Sequence, residues 1–195
     1  MFYVLDEAYR PLLSLLKSYY PGGTFGEKQH GITGEPIYWT YYVPNAELAK
    51  VKPGATGLTA RYYFDGTEKK HWVAANQRIK RLDPFILYNW TVAPVQGFFS
   101  AEWSGSIRAP ADGEYGFHTY SNDMALVEVD GRKAVDRQGP PLGTRWADGK
   151  IQLLAGWHKI RVRYAETSNY SRMELWWTPP KADKQVVPSD ALRPE

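Results

Sequence analysis

Apolar and polar residues alternate in several short segments of the second half of the chain. In residues 159–164 basic side chains occupy one face, and the opposite face carries Ile160, Val162 and Tyr164. The same alternation recurs in residues 115–119 and 173–177. A period of two is typical of a β-strand with one buried face. Sheets with one solvent-exposed face are usually antiparallel. The pattern therefore predicts a mainly β fold with antiparallel strands.

Turn sequences separate these segments. Asp130-Gly131 lies between the runs 127–129 and 133–135, and this dipeptide is typical of a two-residue hairpin. Turns that contain glycine also occur at residues 111–113 and 154–156. Short strands joined at such intervals predict an antiparallel β-sandwich or a barrel.

The beginning of the chain has a different pattern. Phe2–Leu5 predicts a short strand, residues 6–19 predict a helix, and residues 38–43 predict a second strand. This order resembles half of an α/β unit, which is too short to complete a sheet covered on both faces.

Residues 51–57 contain proline and glycine and predict a boundary between two parts of the chain. Residues 1–56 form a partial α/β segment, and residues 57–195 form the β-sandwich. Two interpretations of the first part stay open: it packs on the sandwich as a decoration, or it is the trimmed end of a larger protein.

Composition narrows the possible classes of function. The chain has 195 residues, no cysteine, and a net charge of +3 from 24 basic and 21 acidic residues. The absence of cysteine excludes a disulfide framework and thiolate zinc sites, and the small charge excess does not favour a nucleic-acid partner. Because no apolar stretch approaches the roughly 20 residues that span a bilayer, we expect a soluble chain without an export signal.

Aromatic residues make up 15% of the chain, including 8 Trp and 14 Tyr. Tyr120 and Trp146 lie on or near predicted loops, where an aromatic ring presents an apolar face to the C–H groups of a sugar. The neighbouring Asn122 and Asp123 are able to bind sugar hydroxyls. These four residues are candidate ligand-binding residues, and the alternative is that the rings pack at the rim of the core.

No local sequence pattern predicts catalysis. The chain lacks a nucleophile elbow, and its four histidines do not have the spacing of metal ligands. Asp65, Glu102 and Asp136 are available as glycosidase carboxylates, but their spacing selects no pair. The sequence therefore predicts that this chain is not an enzyme.

Basic residues cluster at 69–70 and 78–81, and Arg161 and Arg163 add charge on one strand face. One interpretation of these charges is that the chain binds an anionic glycan or a sugar-lipid. The alternative is an ordinary solvated face.

Seven motifs follow one another in an order that resembles the PA-fourteen (protective-antigen-type) domain family over residues 57–192. They are Gly57-Leu58 with Tyr62-Tyr63, the run 99–105, the run 113–117, Ser121-Asn122-Asp123, Asp130-Gly131, the run 154–158, and the run 174–180. The resemblance implies a β-sandwich, which the family uses in toxins, sugar-active enzymes and adhesins.

The resemblance also implies a candidate calcium site. In the lectin-like branch of the family, two adjacent aspartates joined by a cis peptide bind calcium, which in turn holds sugar hydroxyls. Asn122 and Asp123 occupy the equivalent positions here, with one formal charge fewer. A second loop would supply Glu166 and Asn169 as further oxygen donors and Tyr170 as a platform for a sugar ring. The alternative is a polar loop held by its own hydrogen bonds.

Residues 1–50 show a second resemblance. Their motifs at 6–13, 20–23 and 41–44 are similar to the soluble extracytoplasmic region of bacterial membrane glycosyltransferases of the protein-mannosyltransferase type. This resemblance implies that a catalytic, membrane-embedded part of the parent protein is a partner of the chain.

The sequence therefore predicts a non-catalytic carbohydrate-recognition module in an extracytoplasmic part of a larger sugar-handling protein. The extracytoplasmic location comes from the resemblance. One alternative is a structural spacer or docking domain that binds no sugar, and a less favoured one is an autonomous glycoside hydrolase.

Overall fold

The computed structural model describes residues 2–5, 12–48, 56–67, 69–90, 93–139, 143–167 and 171–195. The chain divides into two compact units, one comprising residues 1–52 and 89–92 and the other comprising residues 53–88 and 93–195. Within the described residues, no helix has the length and apolar character needed to cross a bilayer.

The first unit contains a small antiparallel sheet and two helices. Its elements are β1 (Phe2–Leu5), α1 (Leu12–Tyr19), β2 (Thr24–Gln29), β3 (Pro36–Tyr42) and α2 (Asn45–Leu48). Strand β3 lies in the centre and pairs antiparallel with β1 and β2. The buried apolar residues of this unit are Leu16, Tyr20, Trp39, Tyr41 and Val43.

This arrangement corrects the prediction of half an α/β unit. Strands β1 and β3 lie where the sequence predicts strands, but they pair antiparallel, so no parallel crossover unit forms. Strand β2 was not predicted, because almost all of its side chains are exposed and the segment has no apolar alternation. Of the predicted helix, residues 12–19 are helical, and residues 6–11 lie outside the described residues.

The second unit consists mainly of strands, and the last two residues of one of these strands, Asn89 and Trp90, belong to the 89–92 segment assigned to the first unit. The strands are β4 (Leu58–Phe64), β5 (Gln77–Asp83), β6 (Leu87–Trp90), β7 (Phe99–Ala109), β8 (Gly113–Ser121), β9 (Met124–Val129), β10 (Arg132–Arg137), β11 (Arg145–Leu153), β12 (Gly156–Ala165), β13 (Ser171–Thr178), β14 (Gln185–Val186) and β15 (Leu192–Pro194). Two short 3₁₀ helices, Ala74–Asn76 and Ser189–Ala191, precede β5 and β15.

These strands form two sheets. Within the described residues, the large sheet has the order β10-β9-β12-β7-β4-β5 with β15 also paired to β7, and the small sheet has the order β11-β8-β13-β14 with β6 also paired to β13. Neighbouring strands pair antiparallel, for example β12 with both β7 and β9. The prediction of an antiparallel β-sandwich is confirmed.

The alternation in the sequence matches the buried faces of both sheets. In each of β8, β12 and β13, the three residues that the sequence predicts on the inner face are buried. The buried residues are Ile160, Val162, Tyr164, Tyr115, Phe117, Thr119, Met173, Leu175 and Trp177. The predicted hairpin is also present, because Asp130 and Gly131 join β9 to β10 with φ angles of +49° and +74°. Two positive φ angles are typical of a type I′ turn.

A buried carboxylate connects three strands of the large sheet. Asp83 is fully buried and accepts hydrogen bonds from the Tyr62 hydroxyl at 2.6 Å and from Trp103 Nε1 at 2.8 Å. Arg81 Nε donates to its other oxygen at 2.6 Å. Burial works to lower the pKa of Arg81, but the charge of Asp83, the neighbouring Tyr62 and Tyr88 and the hydrogen bond to Asp83 together hold that pKa above its usual range. The ring of Trp103 stacks on Tyr88 with centroids 6.1 Å apart.

We expect Asp83→Ala to lower the free energy of unfolding by about 3–5 kcal/mol, because it leaves the Arg81 guanidinium buried without its counter-charge. Urea unfolding followed by tryptophan fluorescence measures this change. Asp183→Ala, at an exposed position, is the control and is expected to stay within about 0.5 kcal/mol of the parent chain. A loss below about 1 kcal/mol for Asp83→Ala would contradict the role of this carboxylate.

A second ion pair lies at the opposite end of β12 from Ala165. His158 Nδ1 lies 2.6 Å from Asp130 Oδ2, and its Nε2 lies 2.8 Å from the Leu154 carbonyl oxygen. Burial works to lower the pKa of His158, but these two hydrogen bonds raise it above its ordinary value. Burial works to raise the pKa of Asp130, but the hydrogen bonds from His158 and from the Lys159 N–H lower it.

The raised pKa of His158 predicts a pH-dependent stability. Its contribution is complete below the unfolded pKa of about 6.5 and is lost as pH rises through the higher folded pKa. The contribution of Asp130 is present above about pH 4 and is lost as pH falls through its lowered pKa. We expect the free energy of unfolding to fall by up to about 1 kcal/mol between about pH 6 and pH 8. His158→Gln should abolish this slope in urea unfolding, whereas His30→Gln should retain it.

Candidate functional site

The predicted site lies at one end of the sandwich, called here the loop end and defined by residues 122–123, 143–144 and 166–167. Strand β8 ends at Ser121, and its register partner on β11 is Arg145, so the connections that follow β8 and precede β11 meet there. Strand β12 ends beside the start of β9, with Ala165 opposite Met124. The sheet register therefore brings three separate connections to the same edge.

Asp123 holds two of these connections together. Its carboxylate is 1% exposed, and it accepts the Gly143 N–H at 3.2 Å on Oδ1 and the Thr167 N–H at 2.7 Å on Oδ2. Its φ angle of +64° is in the left-handed region, which aspartate tolerates better than most residues. Asn122 is also buried, and its Oδ1 accepts the Thr144 hydroxyl at 3.3 Å. Both predicted residues thus make hydrogen bonds inside the loop end.

A buried arginine lies in the same place. Arg137 Nη1 donates to the Ser121 carbonyl oxygen at 2.6 Å and to its hydroxyl at 2.9 Å, and Nη2 donates to the Gly143 carbonyl oxygen. Burial and the charge of Arg145 lower the pKa of Arg137, and the charge of Asp123 opposes this shift. The guanidinium therefore supplies a fixed positive charge beside the Asp123 carboxylate.

Glu166 is a third polar residue at the loop end. It is 5% exposed, and its Oε2 accepts the Ser171 hydroxyl at 2.6 Å. Burial raises the pKa of Glu166, the hydrogen bond from Ser171 opposes this, and the charges of Asp123 and Asp65 add to it. A carboxyl that retains its proton more readily is a weaker metal ligand, because metal ligands must be deprotonated.

These contacts decide how well the loop end suits calcium. Calcium requires about 6–8 oxygen ligands and favours clustered negative charge. Asp123, Asn122 and Glu166 each accept a hydrogen bond from the protein, and Arg137 already occupies the site with a positive charge. Among the described residues, no group of three or more His, Asp or Glu side chains is placed to hold a metal ion. The calcium site that the resemblance implies therefore stays a prediction.

Two predicted site residues, Asn169 and Tyr170, lie outside the described residues. Their proposed roles as a calcium ligand and a sugar platform stay predictions.

The structure places the predicted aromatic residues Tyr120 and Trp146 in strands, each within two residues of the strand end that meets the loop end. Tyr120 in β8 and Trp146 in β11 are register partners on the outer face of the small sheet. Their rings stack with centroids 4.9 Å apart and planes 29° apart, and Trp146 is 41% exposed. The strands hold both rings in fixed positions next to the loop end.

A third ring completes an outer-face aromatic cluster, defined as Tyr120, Trp146 and Trp176. Trp176 meets Trp146 edge-on with centroids 6.0 Å apart, and its Nε1 donates to Glu174 at 2.9 Å. Sequence analysis did not select Trp176, although its position on the polar face of the β13 alternation is a signal for an outward ring.

Two cations border this cluster. The Arg172 guanidinium lies 4.5 Å from the centroid of Tyr120 and is paired with Glu174, so its charge is neutralised. Lys184 Nζ lies 3.4 Å from the centroid of Trp146, and it forms no ion pair with any carboxylate among the described residues. A long lysine side chain is able to move aside or donate hydrogen bonds to a bound ligand.

Arg137 is the other functional residue that sequence analysis missed. It follows Val135 by two positions, which places it on the buried face of β10. A charged residue at a buried position of a strand is a signal for an internal partner.

The three carboxylates considered for catalysis have internal partners. Asp65 contacts His71 Nδ1 at 2.6 Å and Ser100 at 2.8 Å, Glu102 pairs with Arg163 at 2.7 Å, and Asp136 pairs with Lys133 at 2.5 Å. Their geometry gives no support to the hydrolase alternative.

Comparison with known proteins adds a family and a set of relatives. The PA14 domain model matches residues 54–191. Anti-sigma-I factor RsgI3 of Acetivibrio thermocellus is 32% identical over 142 residues, which cover 70% of this chain and 21% of that protein. The chain thus spans about a fifth of the length of this curated relative.

Solved structures give the same fold. An anti-sigma factor domain-containing protein superposes with a TM-score of 0.65 at 26% identity, over 82% of this chain and 60% of that one. The PA14 sugar-binding domain from an RTX adhesin superposes with a TM-score of 0.58 at 16% identity, over 72% of this chain and 99% of that one. Because the RTX adhesin domain is only 16% identical to this chain, its similarity shows the fold alone.

The resemblance of residues 1–50 to membrane glycosyltransferases is not shown by these relatives, two of which are anti-sigma factor proteins. The resemblance of residues 57–192 is confirmed, because the family model covers 54–191 and the structure is the expected sandwich. The chain belongs to the PA14 domain family.

Proposed function

We propose that this chain is a non-catalytic carbohydrate-recognition module whose glycan binds on the outer-face aromatic cluster beside the loop end. The observation that carries the proposal is the stacked pair of Tyr120 and Trp146, of which Trp146 is 41% exposed on a rigid sheet. Two stacked rings and the edge of a third form one aromatic surface here, and the apolar faces of such rings suit the C–H groups of sugars.

The relatives support a sugar as the ligand. The RTX adhesin domain that shares this fold is described as sugar-binding. The polar groups of the 143–144 connection lie at the start of β11, next to the two rings. A sugar on the rings would therefore have hydrogen-bonding groups at its edge.

The comparisons also support a setting within a larger protein. The chain spans 21% of Anti-sigma-I factor RsgI3 and 60% of a solved anti-sigma factor protein. We infer that the module binds glycan outside the cytoplasm on behalf of a larger parent protein. An anti-sigma factor is the parent that the relatives support, and the glycosyltransferase parent stays a prediction from residues 1–50.

We propose further that recognition does not require calcium. Asp123 and Arg137 hold the loop end through hydrogen bonds to backbone groups of residues 121, 143 and 167. The Asp123 carboxylate and the Arg137 guanidinium therefore hold the three connections of the loop end in place without a metal ion.

Trp146→Ala is expected to weaken binding of an uncharged glycan about tenfold or more, because the largest exposed ring of the cluster is lost. A panel of soluble and insoluble uncharged polysaccharides, tested by affinity electrophoresis and pull-down, first identifies a ligand, and calorimetry then measures the affinities. Trp157→Ala removes an equally exposed tryptophan from the large sheet and serves as the control.

Two results would overturn the proposed function. Either no glycan in the panel binds, or Trp146→Ala binds as tightly as the parent chain. Both results favour the spacer or docking alternative.

Calcium at millimolar concentration is expected to give no saturable heat in calorimetry and no change in melting temperature relative to EDTA, since a ligand of the native state alone would raise it. Asp123→Asn should lower the melting temperature by several degrees, about 1–3 kcal/mol, equally with calcium and with EDTA. The reason is that the new amide places an NH₂ group against a backbone N–H donor. A calcium-dependent rise in melting temperature that Asp123→Asn abolishes would contradict this proposal.

A further inference from the structure

The outer face of the large sheet carries a row of basic residues that the proposed function does not use. Strand β12 directs Lys159, Arg161 and Arg163 outward, as the alternation predicts. Arg161 pairs with Glu128 at 2.6 Å, and Arg163 pairs with Glu102 at 2.7 Å. Two of the three charges are therefore neutralised by the neighbouring strands.

Three exposed cations on this face lack such partners. Arg108, Lys159 and Arg193, called here the basic patch, form no ion pair with a carboxylate among the described residues. Lys159 and Arg193 lie on either side of Ser106 in the register of β12, β7 and β15. Because paired strands are about 4.8 Å apart, the backbones of these two residues are separated by about 10 Å.

An exposed tryptophan belongs to the same patch. Trp157 is 39% exposed and is the register partner of Arg108. The Arg193 guanidinium lies 3.9 Å from the centroid of its ring. Aromatic surface and positive charge thus occupy one small area, whereas the opposite end of this face carries paired charges.

Lys159 of the basic patch also lines a groove of about 550 Å³ along β7 and β12. Its lining includes Ser104, Gly105, Ser106 and Lys159. Three carboxylates also line it, and each has an arginine partner: Glu102 with Arg163, Glu128 with Arg161, and Glu195 with Arg61 at 3.0 Å. Among the described residues that line the groove, Lys159 is therefore the charged side chain without an ion-pair partner.

We propose that the basic patch, with Trp157 and the adjoining groove, is a second glycan site and that it binds an acidic polysaccharide, a chain whose sugar rings carry carboxylate or sulfate groups. Lys159, Arg108 and Arg193 meet the anionic groups, the Ser106 hydroxyl lies between them, and Trp157 stacks on a sugar ring. The inference rests on the proposed function only in taking carbohydrate as the ligand, since it uses different residues on the other sheet.

An acidic glycan fits this surface better than an anionic membrane. The groove is lined by small and charged residues, and the exposed aromatic residue of the patch, Trp157, lies against the Arg193 guanidinium. Binding to a membrane surface requires a broad apolar face that enters the lipid in addition to the charge.

Alginate, which carries carboxylates, dextran sulfate and uncharged dextran are the probes for this site. Calorimetry at about 50 and 500 mM NaCl is expected to show that at least one acidic chain binds, that dextran does not, and that binding weakens with salt, because ion pairs with an exposed surface are screened. Lys159→Gln/Arg193→Gln and Trp157→Ala should each lower the affinity for the acidic chain about tenfold, and the double variant should flatten the salt dependence. Comparing the two acidic probes distinguishes carboxylate from sulfate.

Lys150→Gln is the matched control for charge, because it removes an exposed lysine from the other sheet where it pairs with Glu114 at 2.7 Å. Phe25→Ala, which removes an aromatic ring exposed to a similar extent in the first unit, is the matched control for an exposed ring. Both are expected to bind the acidic chain as the parent does. All these side chains are exposed, so melting curves of every variant should agree within a few degrees.

The inference is overturned if neither acidic chain binds, if the patch variants bind as tightly as the parent, or if vesicles of anionic phosphatidylglycerol bind through the same residues more tightly than the glycans. Loss of acidic binding in Trp146→Ala alone also overturns it, since the acidic chain would then occupy the first site. The uncharged-glycan panel with Trp146→Ala separates these outcomes from failure of the proposed function.

Discussion

The buried carboxylate of Asp83 is the constraint on which the large sheet depends. A buried charge is tolerated only with a counter-charge and hydrogen bonds, and here Arg81, Tyr62 and Trp103 supply them from three strands. The partners are in place only when β4, β5 and β7 pair in a single register. A shift of one residue in a strand would exchange its buried and exposed faces. The same register therefore determines which basic residues lie on the outer face.

The loop end is organised by a similar principle. Asp123 accepts two backbone N–H groups, and Arg137 donates to backbone carbonyl oxygens on both sides of it. Polar groups that appear in the sequence as free ligands are thus used to fix the loops. In the proposed function, recognition is left to side chains on the strands beside them, where the rings of Tyr120 and Trp146 are held by paired strands.

Charge is distributed unevenly over the two outer faces. On the small sheet Arg172 is neutralised by Glu174, and the exposed surface beside it is aromatic. On the large sheet arginine and glutamate pairs cover one region, and the unpaired cations gather around Trp157. Two surfaces of different chemistry on one sandwich would allow the module to contact a composite polysaccharide at two points, which increases the effective affinity without new contacts.

The sequence by itself determined the alternating faces of β8, β12 and β13 and the Asp130-Gly131 turn, because a period of two and the backbone preference of glycine are local properties. It also determined the family through its ordered motifs. Only the tertiary structure decided the partners of Asp123, the role of Arg137 and the stack of Tyr120 on Trp146, since these depend on strands that are far apart in the chain. Strand β2 was likewise invisible in the sequence, because its pairing with β3 rests on backbone hydrogen bonds and not on an apolar pattern.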